Sequence, residues 1–246
     1  MPEIVDLTRG PESGRGLAAL AAVRGLGPGG VVRLVTPEDP ALLMESLNLQ
    51  LRGALAWESV RRGGAWETTV RRADDVEPRN VIELLLRDHR RLDRLLAVAL
   101  RRLNAGDTVQ AKPMLIEFAR GLRRHVRAED ELVASALSPE SGFEPLQTML
   151  QEHTELHAQL WAIEQCFADA PAGSLPEAWE IEPFVAILSG TLAKHEHREE
   201  QGLFPAWTAR LAARPRPEQD ALLEAVRERL EPASGPAGPS PSSTAH

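Results

Sequence analysis

The sequence predicts an α+β module followed by an all-α bundle: a β-α-β-α-β-β segment leading into four helices that run up-down-up-down. Three observations carry this expectation. The hydrophobic pattern changes about every ten residues through the first 75 positions; from Asn80 it settles into a helical period; and the breaks between the later helical stretches are short and rich in turn residues.

In the first part, "EIVDL" (3–7) and "VVRLVT" (31–36) read as buried strands around the helical "SGRGLAALAAVRGL" (13–26), which ends at the breaker "GPGG". "ALLMESLNLQL" (41–51) reads as a second helix. "ALAWESV" and "AWETTVRR" alternate and are joined by "RRGG", a hairpin signal. Residues 1–75 therefore form a small mixed sheet with both helices on one face, and residues 76–81, around Pro78, form a linker. The bundle is expected over 82–212, its amphipathic segments at 81–103, 108–136, 143–168 and 177–211 separated by "NAGD", "SPESG" and "DAPAGS". Connections this short make the helices antiparallel neighbours. A shorter amphipathic helix follows within 213–231, and the Pro-, Ser- and Gly-rich tail at 232–246 is expected to be disordered.

Composition excludes several classes. At 43% hydrophobic and 26% charged, the 246 residues can bury a core, while the net charge of -8 argues against nucleic acid and anionic membrane as partners. The pairs Arg90-Arg91 and Arg123-Arg124 read as solvated helix faces. Cys166 is the single cysteine, so neither a disulfide within the chain nor a Cys-rich zinc site is available. With no signal-like start and no long apolar run, a cytoplasmic location and no membrane partner are expected.

The apolar stripe of each long helix is interrupted by histidine. Ile82, Leu85 and Leu86 lead to His89 and then Leu92 and Leu96; Phe118 and Leu122 lead to His125 and Glu129. In the third helix Leu146, Met149 and Leu150 lead to His153 and His157; in the fourth, Phe184, Leu188 and Leu192 lead to His195 and Glu199. One buried histidine is unremarkable, but an unpaired buried carboxylate costs several kcal/mol or takes up a proton. Two carboxylates among five histidines at the meeting point of four helices point to a pair of bound cations, for which iron, manganese and zinc all have the right donor chemistry. Neither the H-E-x-x-H of zinc proteases nor the E-x-x-H of ferritin-like di-iron bundles is present, because no histidine has a Glu three positions before it. An imidazole-rich site favours reversible binding of a diatomic or modest redox change over forceful oxidation.

With "DHRRLDRLL", "HVRAEDELV", "EHTELHAQL" and "HEHREEQGLFP" in that order, one per helix, residues 82–210 resemble the hemerythrin family, in particular its bacterial cation-binding domains. The resemblance implies a non-haem centre of two iron ions. One would be held by His153, His157 and His195, the other by His89 and His125, with Glu129 and a fourth-helix carboxylate, Glu199 or Glu200, bridging them. It implies dioxygen, nitric oxide or peroxide as small ligand, in binding or sensing, with nitric oxide or peroxide reduction or iron donation for iron-sulfur repair as the alternative. Oxygen-carrying members have an Asp five residues after the fourth-helix histidine, where this chain has Glu199 at four and Glu200 at five; an offset of four is nearly eclipsed on a helix and favours Glu199. Residues 1–75 resemble the module of sulfur-carrier proteins but lack the reactive Cys after the first strand, so they are expected to bind a protein partner or self-associate.

Overall fold

A computed structural model of the protein describes residues 2–9, 12–51, 54–138 and 143–231; the tail at 232–246 lies outside them. The chain divides into two units, Met1–Pro78 and Arg79–His246.

The first unit contains β1 (Glu3–Asp6), α1 (Glu12–Arg24), β2 (Val31–Thr36), α2 (Ala41–Gln50), β3 (Leu55–Arg62) and β4 (Ala65–Arg72). Strand order is β1-β2-β4-β3, with β1 parallel to β2 and the remaining pairs antiparallel, the mixed sheet that the pattern predicts. Period-2 alternation decides the faces: Val32 and Leu34 of β2 and Val70 of β4 are buried with Ala19 and Val23 of α1 and Met44 and Leu47 of α2, whereas Val31, Arg33 and Val35 turn away. Gly63 and Gly64 join β3 to β4 at φ 57° and 90°, the two positive values that a type I′ hairpin requires.

The second unit is built on α3 (Val81–Asn104), α4 (Thr108–Ala128), α6 (Glu144–Ala168) and α7 (Ala178–Arg198), with α5 (Ala134–Leu137) and α8 (Phe204–Ala212) extending α4 and α7, and α9 (Arg216–Leu230) added at the end. Capping fixes the helix starts. The Asn80 side chain accepts from the Glu83 backbone N–H at 2.9 Å, Asp107 accepts from Gln110 N–H at 3.0 Å, and Glu177 and Glu180 form a capping box. The interior is layered. Leu92, Leu96, Phe118, Leu122, Leu160, Leu188 and their neighbours form one apolar cluster; Leu85, Val133, Met149, Phe204, Trp207 and Val226 belong to a second. Along α3, α6 and α7 the histidine falls between the residues of one cluster and those of the other, and on α4 His125 lies at the changeover, just before Val126 of the first cluster and Ala128 of the second; the order of the clusters alternates, so successive helices run in opposite directions.

Two local features position that middle layer. A π-helical turn over Glu129–Val133 separates α4 from α5, and a second over Glu199–Leu203 separates α7 from α8. Buried positions 125, 129, 133 and 137, like 195, 199, 203, 207 and 211, recur every fourth residue; a straight α-helix rotates about 40° at each such step, and the wider turn absorbs the drift. The second feature is Gly121, where α3 comes so close to α4 that a Cβ would lie 2.7 Å from Arg91 Nη2 and 2.8 Å from Leu92 Cδ2.

Candidate metal centre

Each long helix delivers one histidine into the polar layer: His89 from α3, His125 from α4, His153 from α6 and His195 from α7, none more than 2% exposed. Glu129 and Glu199, the first residues of the two π turns, are 0% and 2% exposed. These six form two sets of four, each with donor atoms within 4.8 Å of one another: His89, His125, Glu129 and Glu199, and Glu129, His153, His195 and Glu199. Both carboxylates belong to both sets. Glu129 places Oε1 3.3 Å from His125 Nε2 and Oε2 3.3 Å from His153 Nε2; Glu199 places Oε2 3.4 Å from His89 Nε2 and Oε1 3.3 Å from His195 Nε2.

The opposite ring nitrogen of every histidine meets a carboxylate. His125 Nδ1 donates to Asp88 at 3.0 Å, His153 Nδ1 to Asp130 at 2.8 Å, His195 Nδ1 to Glu152 at 3.1 Å and His89 Nδ1 to Glu200 at 3.3 Å. Such contacts fix the tautomer, put the proton on Nδ1 and aim the Nε2 lone pair inward, as outer carboxylates do for metal-bound imidazoles. The result is an internal two-fold relation. Asp88-His89 on α3 corresponds to Glu152-His153 on α6, and His125 on α4 with Glu129-Asp130 of the π turn after it corresponds to His195 on α7 with Glu199-Glu200 of the π turn after that helix.

The inner atoms fit cations and little else. Both oxygens of Glu129, both of Glu199 and Nε2 of His153 and His195 are buried without a hydrogen bond, although they crowd within 3.3–3.8 Å of one another. His89 Nε2 and His125 Nε2 face each other at 3.0 Å. Unpaired carboxylates in this environment are costly unless a positive charge is shared among them. Protonation shows the same demand. Burial alone would lower His125 and His153, but Glu129 with Asp88, and Asp130 with Glu129, raise them to about 9 and about 10. Burial pushes His195 down to about 3. Glu129 resists burial and stays well below the usual carboxylate range between His125 and His153, whereas burial and the Glu129 charge push Glu199 up. Glu196, next to His195, is buried with Oε1 unpaired and is pushed up to about 8, first by burial.

Of the residues expected at the site, His89, His125, Glu129, His153, His195 and Glu199 converge. His157 does not: it is exposed on the outer face of α6. The inner face of that helix passes through Met149, Glu152, His153, Leu156 and Leu160, while Leu150, on the side that was expected to be inward, is 42% exposed. The helix is thus rotated by part of a turn relative to the stripe read from Leu146, Leu150 and His157. Glu200 stands behind His89 and is itself exposed, so its carboxylate faces the ring and not the layer between the two donor sets. The outer carboxylates Asp88, Asp130 and Glu152 escaped the reading of stripes, although each sits next to a residue that the stripes did mark.

A four-helix bundle with two buried His/carboxylate sets that share their acids has the donor chemistry of a cation-binding domain. Residues 80–207, slightly more than half of the chain, match the family model described as hemerythrin HHE cation binding domain, and the chain belongs to that family. Comparison with curated proteins and with solved structures gives no match. Among the described residues no helix is long and apolar enough to cross a membrane.

Proposed function

We propose that the centre holds two iron ions, one on His89 and His125 and the other on His153 and His195, with Glu129 and Glu199 reaching both, and that it binds or senses dioxygen, nitric oxide or a related oxidant. The observation that carries this reading is the sharing of both carboxylates by two histidine pairs whose outer nitrogens are all tied to acids. Glu199 is the better bridge than Glu200, since its oxygens are buried and unpaired whereas Glu200 is occupied with His89. Manganese and zinc accept the same donors. Iron in a His/carboxylate site supplies one-electron redox change and an affinity for diatomic ligands. The protein's part is to hold four donors per ion, fewer than such iron sites take up, and so to leave room for a small ligand.

The test is the metal content of anaerobically purified chain together with its absorption spectrum before and after nitric oxide or dioxygen. Near two irons per chain and a reversible spectral change support the proposal. Zinc, no metal, or iron whose spectrum ignores both gases overturns it, and repeated turnover with a reductant moves the assignment from binding to catalysis.

A further inference from the structure

Resting on the di-metal reading, we infer that the centre is loaded through one defined port, the cavity of about 420 Å³ between the first turns of α6 and the π turn after α7. The cavity is graded from surface to interior. Glu144 in the first turn of α6 is exposed, Glu152 is nearly buried, and at the inner end lies Glu199, 2% exposed, with neither oxygen hydrogen-bonded. Arg198 at the wall pairs with Glu152 and offsets the charge of that carboxylate. A cavity whose wall carries Glu144, Glu152 and the buried Glu199, the last with its oxygens just behind the wall, suits a hydrated divalent cation on its way inward, because the low-dielectric walls focus the field and raise the local cation concentration.

The two-fold relation of the centre shows why the port lies here. On the related half, α9 packs across α3, α4 and the π turn of Glu129, with Val226 fully buried, Arg124 Nε donating to the Leu230 carbonyl at 3.0 Å and Arg229 paired with Glu131. Phe204 stacks on His89 at 5.5 Å. Within the described residues of the second unit no helix corresponding to α9 packs on the α6 and α7 side, where the cavity lies.

Gly202 provides the test. It lies at the cavity wall, is exposed, and a Cβ built there meets nothing within 4 Å, so a side chain can start there freely and Gly202→Leu narrows the mouth. Gly190 on α7 is equally open but does not line the cavity, and Gly190→Leu serves as control. Cobalt(II) uptake by the metal-free full chain is followed by its absorption bands, with the final metal content and the circular dichroism of each variant recorded. Gly202→Leu is expected to slow uptake by about tenfold or more while the final cobalt content is unchanged, and Glu144→Gln to slow it by about threefold at low salt, with the difference vanishing at high salt. Gly190→Leu should match the wild type. Uptake at the wild-type rate in Gly202→Leu overturns the port while leaving the di-metal site intact. Slowed azide binding to pre-loaded Gly202→Leu with unslowed cobalt uptake also overturns it, in favour of a route for small anionic ligands. A wild-type chain that takes up no cobalt removes both the site and its port.

Discussion

His153 and His157 are one helical turn apart and have opposite surroundings, one at the meeting point of two carboxylates and the other in solvent. His153→Ala is therefore expected to remove at least one metal equivalent per chain, and His157→Ala none, as measured by elemental analysis of the purified chains. Asp88 acts at one remove, through His125; Asp88→Ala is expected to weaken metal affinity by about 10- to 100-fold, the usual effect of losing an outer carboxylate, measured by chelator competition. At this scale the sequence exposes the inner histidines and the two carboxylates shared by both donor sets, because a charged or polar residue inside an apolar stripe stands out. The acids behind the histidines do not stand out. Asp88, Asp130 and Glu152 neighbour marked residues, and a polar residue at the edge of a stripe looks the same as one on a solvated face until the helix rotation is known. His157 fails for that reason too, since a rotation of part of a turn exchanges it for Leu156.

Among the elements, the helices were legible from their period and caps and β3 and β4 from their alternation; β1 and β2 read as buried runs, yet β1 lies largely exposed, with Ile4 60% exposed, and β2 buries one face; the π turns were not legible. Their trace is the four-residue spacing from His125 to Leu137 and from His195 to Leu211, which a reading tuned to 3.6 residues takes for a stripe with drift. The turn brings Glu129 and Glu199 between the histidine pairs while Asp130 and Glu200 reach the backs of His153 and His89. The packing of α3 on α4 depends on Gly121. Adding a methyl group there drives into Arg91, which holds Asp88 at 2.6 Å, and into Leu92; Gly121→Ala is expected to destabilise the chain by about 1–3 kcal/mol in chemical denaturation and to lower metal affinity with it.

For the molecule as a whole, the metal-free chain carries a pH liability whose sign is fixed. His125 and His153 are raised from the usual 6.5 to about 9 and about 10, so the stability they contribute is complete below about pH 6.5 and is lost as the pH rises through those values. Glu196, pushed up to about 8, acts in the same direction as it is forced to ionise while buried. The melting temperature of chelator-treated protein should therefore fall between pH 7 and 10. Metal-loaded protein should show a flatter profile, and a melting temperature higher by the equivalent of about 2.7 kcal/mol when free metal stands at 100 times its dissociation constant. A melting curve for the metal-free chain that rises over this range contradicts the account.

The charged layer between the two apolar clusters bears on how the bundle comes apart. The four long helices span both apolar clusters, but among the described residues their hydrophobic contacts do not form one continuous body; they are two half-cores with six side chains between them. With cations in place the bridge is rigid, and the helices should unfold in a single transition. Stripped of them, the half holding Phe118 and the half holding Trp207 are joined by a polar seam of carboxylates and imidazoles whose charges change with pH. Calorimetry of the stripped chain should then give a van't Hoff enthalpy smaller than the calorimetric one, the mark of two blocks that have lost their coupling.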